Sequence, residues 1–249
     1  MSASDRRAAP RTAVVWDVLD PILGGPVDPA DSAGSRAPHE ALDVLDIGGG
    51  TGGSAVRIAE RGHRVSVIDP SPDALASLDR RAREHGVEVS GRQGDLTDLL
   101  DLVSPDSVDV VLCHGVLEIV EDPAAAVARI RQVLRPGGHL SLLVAQRHAA
   151  VVARAMAGHF AQATALLDDV SSHGRAGRRF TRDEAHTLLV EAGFEVVSTH
   201  GIRVFADLVP GSLLDLEPGA TGALVDLERA VAERPEYLPL ATQVHLLAR

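Results

Sequence analysis

A run of small residues, Gly48-Gly49-Gly50-Thr51-Gly52-Gly53, follows Asp46 and Ile47 and precedes a segment with helix-like apolar spacing. Glycines at such a point let the backbone turn tightly and let a ligand approach with no Cβ atoms in the way. The string fits two templates. Gly48, Gly50 and Gly53 match G-x-G-x-x-G, the dinucleotide fingerprint. Gly48, Gly50 and Gly52 match G-x-G-x-G equally well. Asp69 closes the next apolar run and serves either template, because both ligand types offer ribose hydroxyls to a carboxylate.

Other side chains with chemical potential follow along the chain. Asp95, after Gly94 and before Leu96, is either a ligand contact or the N-cap of a helix over residues 96–102. His114 closes a further apolar run, and Cys113 beside it reads as a buried small residue and not as a nucleophile. Glu118 is open between a substrate contact and a surface ion pair. No His, Cys, Asp or Glu spacing suggests a metal site. Arg80, Arg81 and Arg83 share a segment with Asp79 and Glu84 and read as a solvated face. Arg175, Arg178, Arg179 and Arg182 have no acid between them, so they form either a flexible loop or a phosphate-contacting patch.

The elements that must position these groups alternate between strand and helix. Short apolar runs at residues 42–47, 64–69, 87–92, 108–114 and 139–145 read as five strands. Helices are expected at 51–61, 72–85 and 123–134. Ser71 and Asp122 precede the last two, and Pro72 and Pro123 take their first helical positions. Such alternation implies βαβ units and a buried parallel sheet. The Ala-rich segment 149–170 is expected to be helical, and residues 171–179 form a loop. Thr181-Arg182-Asp183-Glu184 is a capping box for a helix that ends near Gly193. Residues 194–200 and 242–248 read as two more strands, with a helix at 224–232 between them. At the start, residues 1–11 read as loose and 12–23 as helical, and 24–40 form a Gly/Pro-rich linker.

The chain has 249 residues, the size of one elaborated α/β domain or two very small ones. Hydrophobic residues at 45% and charged ones at 24% exclude fibrous and wholly disordered classes. No apolar run approaches the roughly 20 residues of a membrane span, so no membrane partner is expected. The N-terminus makes a poor signal peptide, and the single cysteine forbids an internal disulfide; both fit a reducing, cytoplasmic setting. The net charge is −11, and every basic residue is Arg. A polyanion is therefore repelled on average, and nucleic-acid binding needs a local basic patch.

Several landmarks together resemble class I S-adenosylmethionine-dependent methyltransferases. They are Asp46 with the glycine loop, Asp69, Gly94-Asp95, Cys113-His114, and Leu134-Arg135-Pro136-Gly137-Gly138 before the fifth strand. The resemblance implies an α/β, Rossmann-like sheet of seven strands with the last antiparallel. It also implies helices on both faces, an N-terminal helical extension, and S-adenosylmethionine across the carboxyl ends of the strands. The domain would span residues 41–249, with a helical and loop insertion at about 147–180, after a helix and linker at 1–40.

A closer resemblance is to the bacterial tRNA 5-carboxymethoxyuridine methyltransferase family. It rests on His114-Gly115-Val116-Leu117-Glu118, Met156-Ala157-Gly158-His159-Phe160, Gly201-Ile202-Arg203-Val204-Phe205 with Asp207, Arg234-Pro235-Glu236-Tyr237, and Arg11 with Trp16. By motif position, donor contacts would fall on Arg11, Asp46, Gly48, Gly49, Gly50, Gly52, Asp69, Asp95, Leu96 and His114. Asp95 would face the adenine amino group. Arg203 would clamp the acceptor's carboxylate or stand in a structural ion pair with Asp207 or Glu228, and Arg175, Arg178, Arg179 and Arg182 would meet tRNA. The chain departs from the family in two places. A lysine-rich run is replaced by Asp168 and Asp169 followed by arginines, and Val144-Ala145-Gln146-Arg147 replaces aromatic and amide residues after strand five. A small metabolite therefore stands as the alternative acceptor.

Overall fold

The computed structural model describes residues 3–24, 41–167 and 177–249. Most of the expected linker, and Arg175, lie outside these. Seven strands form one sheet: β1 (Asp43–Ile47), β2 (Arg64–Asp69), β3 (Val89–Gln93), β4 (Val108–His114), β5 (Leu134–Ala145), β6 (Val196–Ile202) and β7 (Gln243–Ala248). Their order is β3-β2-β1-β4-β5-β7-β6. The first five pair in parallel, and β7 runs antiparallel to both β5 and β6. The order reverses between β1 and β4, where open α/β sheets leave a crevice beyond the carboxyl ends of their strands.

Side-chain alternation supplies a core on each face. Leu45, Ile47, Val111, Cys113, Leu140, Leu142 and Val144 point to one side, where α5 (Pro123–Val133) and α8 (Arg182–Glu191) add Val127, Ile130, Ala185 and Leu189. Val44, Val67, Val110 and Leu112 point to the other, against Ile58 of α2 (Gly53–Ala59) and Leu78 of α3 (Pro72–His85). Strands buried on both faces read as continuous apolar runs, which is why they were legible.

The capped helices begin where their signals stand. Ser71 Oγ accepts the Ala74 N–H at 3.2 Å, Asp122 Oδ1 accepts that of Ala125 at 3.0 Å, and Thr181 with Glu184 closes the full capping box. Elsewhere the structure departs from the sequence reading. Residues 3–11 are not loose: α1 (Ala3–Leu19) runs through Pro10, and its Val14, Val15 and Leu19 are buried in the second core. Tertiary packing overrides the proline here. The Arg57 guanidinium also lies 3.7 Å from the Trp16 ring, tying α1 to α2. The turn at residues 135–138 does not precede β5 but bulges within it, since Val108 pairs with Leu134 and Val110 with His139. The helix expected over residues 96–102 is only α4 (Leu99–Leu102). The Ala-rich segment is two helices, α6 (Arg147–Met156) and α7 (Phe160–Leu166), broken at Gly158. Next come α9 (Gly211–Leu216), which had no sequence signal, and α10 (Ala220–Val231).

Candidate functional site

The glycine loop is built against two carboxylates. Gly48 N–H donates to Ile68 O at 2.8 Å, which ties the loop to β2. A Cβ on Gly49 would fall 2.6 Å from Asp46 Oδ2, so the Asp46 carboxyl packs directly under the loop. Gly52 caps α2 with φ +77°, and a Cβ there would lie 2.1 Å from Leu78 Cδ1; only glycine fits this turn. Asp69 is a strut. Its Oδ2 accepts the Gly50 N–H and its Oδ1 the Ser71 N–H, both at 2.9 Å. One side chain thus fixes both the glycine loop and the turn into α3; it also lines the cleft and has lone pairs left to accept further hydrogen bonds.

That cleft has a volume of about 430 Å³ and opens at the carboxyl ends of β1, β2 and β4. Gly48, Asp69, Asp95, Leu96 and His114 all line it, so the fold brings five of the expected donor contacts together. Its apolar wall is Ile47, Ile68, Val116, Ile119 and Val120, which sequence reasoning did not find because apolar residues carry no chemical signature. A larger cavity of about 720 Å³ lies at the opposite, amino-terminal edge of the sheet, lined by His63, Arg64 and Arg92 among others. None of the expected site residues borders it, and in sheets of this kind ligands bind at the carboxyl ends.

Electrostatics in and behind the cleft follow from burial. Asp46 is 4% exposed, and burial, with the charge of Asp69 second, pushes its carboxyl up to about 7. Burial pushes the His114 imidazole down to about 4, so it is neutral at pH 7. Its Nε2 meets Ser141 Oγ at 2.8 Å, and Ser141 Oγ meets His245 Nε2 at 2.7 Å, a polar chain across β4, β5 and β7. A neutral imidazole raises no charge barrier to a cationic ligand. Cys113 is fully buried, and burial holds its thiol far above the ordinary range, which leaves it inert.

Two readings of the sequence resolve here. Asp95 does not cap α4, whose N-cap is Asp98; it lines the cleft while its Oδ1 accepts the Thr97 N–H at 2.6 Å. Glu118 is neither a cleft contact nor a surface ion pair. It is 7% exposed and accepts the Ala145 N–H at 2.6 Å, and burial raises its carboxyl.

Arg11 and Arg203 are not among the residues lining the cleft. The strand does not continue through Arg203: β6 ends at Ile202, and Arg203 has φ +61°. Its guanidinium pairs with Asp207, which Arg11 also reaches at 3.1 Å. The β7 end that receives this turn is also paired to β5, since Gln243 opposes both Ala145 and Ile202. The two arginines therefore sit on the carboxyl side of the sheet, beyond β5 and β6. Glu228, fully buried, holds the turn by accepting the N–H groups of Val204, Phe205 and Ala206 at 2.9, 2.8 and 2.7 Å.

Comparison with known proteins agrees with this geometry. A family model described as a methyltransferase domain matches residues 45–142. The tRNA 5-carboxymethoxyuridine methyltransferase of Escherichia coli K12 is 30% identical over 246 residues, covering 96% of this chain and 87% of that protein. A ubiquinone biosynthesis O-methyltransferase of Xylella fastidiosa is 33% identical over 128 residues, about half of each chain (51% and 52%). The crystal structure of an S-adenosylmethionine-dependent methyltransferase from Mesorhizobium loti shares the fold with a TM-score of 0.56 at 20% identity, over 86% of this chain and 93% of that one. The glycine cradle, the Asp69 strut and a cleft of ligand size fit S-adenosylmethionine as the methyl donor. The chain belongs to the class I S-adenosylmethionine-dependent methyltransferases, in the family that includes the E. coli tRNA 5-carboxymethoxyuridine methyltransferase.

Proposed function

We propose that this methyltransferase acts on the carboxylate of a 5-carboxymethoxyuridine-type nucleoside at the wobble position of tRNA. The observation that carries this reading is the convergence of Arg11 and Arg203 on the single acid Asp207, beyond the carboxyl ends of β5 and β6. Two guanidinium groups share Asp207, with the Glu228 carboxylate buried behind the same turn, and an acceptor carboxylate can compete with Asp207 for either fork. The planar fork of an arginine can hold that acceptor by two parallel hydrogen bonds and so fix its orientation. The similarity to the E. coli enzyme supports the reading, because it reaches past residues 45–142 and through Arg203.

The bound donor supplies an activated methyl group on its sulfonium. In this reading Asp69 takes the ribose hydroxyls, Asp95 the adenine amino group, and Gly48, Gly49, Gly50 and Gly52 form the cradle over Asp46. Leu96 and neutral His114 complete the pocket. A carboxylate acceptor is already ionised at neutral pH, so the protein's task is to bind, desolvate and align the reactants. The low basicity of His114 and the inert Cys113 agree with chemistry that needs no general base. Residues 41–249 form the methyltransferase domain, residues 147–180 its insertion, and residues 1–40 an extension. Arg178, Arg179 and Arg182 contact phosphates.

The net charge of −11 and the likeness to an O-methyltransferase of ubiquinone biosynthesis favour the second reading, methylation of a small metabolite. Mass spectrometry of tRNA nucleosides from a deletion strain separates the two. Loss of a wobble methyl ester, restored by the wild-type gene and not by Arg203→Ala, supports the tRNA reading. An unchanged nucleoside profile overturns it.

A further inference from the structure

The positive charge of this acidic protein is segregated. Residues 123–182 hold nine arginines and two acids, Asp168 and Asp169, in a chain that carries 35 acids in total. No acid occurs at all from Pro123 to Leu167, by far the longest such run in the sequence. The segment includes the α6–α7 hairpin, which leaves the sheet at the carboxyl end of β5. This hairpin barely enters the core. Arg147 is the buried residue of α6, and Ala163 that of α7.

The turn between the helices is built stiffly. Gly158 has φ +78°, its N–H donates to Ala155 O at 3.0 Å, and His159 N–H donates to Arg154 O at 2.9 Å. Together these bonds close the end of α6. The turn holds out two large apolar side chains. Met156, in the last turn of α6, is 74% exposed, and Phe160, the first residue of α7, is 69% exposed. Exposed His159 and half-buried Arg154 flank this tip, and exposed His148 lies at the base of α6. The base of the hairpin is locked to the arginine-rich segment. Arg147 N–H donates to Phe180 O at 2.9 Å, and its guanidinium donates to Arg179 O at 3.1 Å and to Glu184 at 2.8 Å.

We infer that Met156 and Phe160 at the tip of the α6–α7 hairpin form a stacking platform for unpaired bases of RNA. An exposed apolar tip calls for an occupant. A hairpin whose own sequence holds arginine and histidine but no acid, in a protein of charge −11, selects a polyanion over another copy of the chain. A polyanion that also covers an aromatic face is a single strand or loop, whose bases stack on aromatic side chains. The platform would replace the aromatic residue that this chain lacks after β5. The inference rests on the tRNA reading above, and the experiment keeps the two apart.

The probe is a fluorescein-labelled RNA stem–loop of about 17 nucleotides with a seven-base loop, compared with a blunt duplex of equal charge, by fluorescence anisotropy. Phe160→Ala should weaken stem–loop binding about five- to a hundredfold. It should leave duplex binding and S-adenosylmethionine affinity unchanged, and Phe160→Trp should restore the stem–loop affinity. Phe160 is exposed, so the variants should fold. A wild-type protein with no affinity for the stem–loop overturns the RNA acceptor reading and this inference with it. Tight wild-type binding that survives Phe160→Ala overturns this inference alone. So does a wild-type dimer in sedimentation velocity that Phe160→Ala dissolves without changing RNA affinity.

Discussion

Asp46 should couple methyl-donor binding to pH. Its carboxyl lies under the glycine loop and titrates at about 7 in the free protein. The donor carries positive charge on its sulfonium and on its α-ammonium, and both favour the ionised carboxylate. If only that form binds well, the competent fraction is about one in eleven at pH 6 and about ten in eleven at pH 8, an affinity gain of about tenfold. Binding at pH 7 should release about half a proton. Titration calorimetry in two buffers of different ionisation enthalpy counts that proton. The donor's amino group titrates near pH 8, so the comparison is made against Asp46→Asn, which keeps the shape and removes the titration. The same group shapes stability. Its folded pKa is raised above the ordinary 3.8, so its contribution is present in full below that value and is lost as pH rises through about 7. The whole span is about 4 kcal/mol, an upper figure for a site that solvent or the donor can relax. Unliganded wild type should therefore lose melting temperature relative to Asp46→Asn between pH 5 and 8. A donor affinity with the same pH dependence in both proteins, and no proton release in either, would refute the reasoning.

Asp69→Ala should weaken donor binding about ten- to a hundredfold by calorimetry, since it removes the proposed ribose partner and orphans the Gly50 N–H. Glu228→Gln keeps one acceptor oxygen, for Phe205 and Ala206, but sets an amide NH2 against the Val204 N–H, and should cost about 1–3 kcal/mol in urea denaturation. Donor affinity measured on the folded fraction should hardly change. Replacing Arg178 and Arg179 by Ala should lower the slope of log RNA affinity against log salt by about 0.7 per lost phosphate contact; an unchanged slope removes this segment from the interface. Arg203→Lys keeps charge but loses the fork, and should cost about 2–5 kcal/mol in kcat/KM toward a carboxylate acceptor with Tm almost unmoved. If Tm falls while activity per folded molecule persists, Arg203 is only an ion-pair partner of Asp207.

What was legible in the sequence was local. Ser71 and the Thr181–Glu184 box mark helix starts through bonds that span three residues, and β2 and β4 were read to the residue because both faces are buried. The glycine loop was legible for the same reason, since its glycines answer to backbone geometry within one turn. What failed was non-local. Pro10 argues against helix, but packing of Val14, Val15 and Leu19 holds α1 together. The bulge at residues 135–138 looks like a loop until β4 is laid beside it, and Arg135 then reaches Asp43 and Asp109, both at 2.8 Å. The backbone partners of Glu118 and Glu228 could not be read, because they stand 27 and about 24 residues away. Arg203 was placed correctly beyond β6 but not in its conformation, since left-handed backbone at an arginine has no marker in sequence.

The acids of this chain also bear on what its charge means. Asp69 holds Gly50 and Ser71, Glu118 holds Ala145, Glu184 holds Thr181, and Glu228 holds three successive N–H groups after β6. Each of these carboxylates fixes a loop or strand end on the carboxyl side of the sheet, by bonds that are stronger for carrying charge. These acids keep their charge while they fix backbone, so what a partner meets depends on how the net charge of −11 is distributed and not on its size alone. The arginines are concentrated where few acids accompany them. Arg11 and Arg203 share Asp207, and the stretch from residue 123 to 167 has no acid at all. An acidic protein can in this way present a cationic acceptor side, so its overall charge and an anionic substrate are compatible.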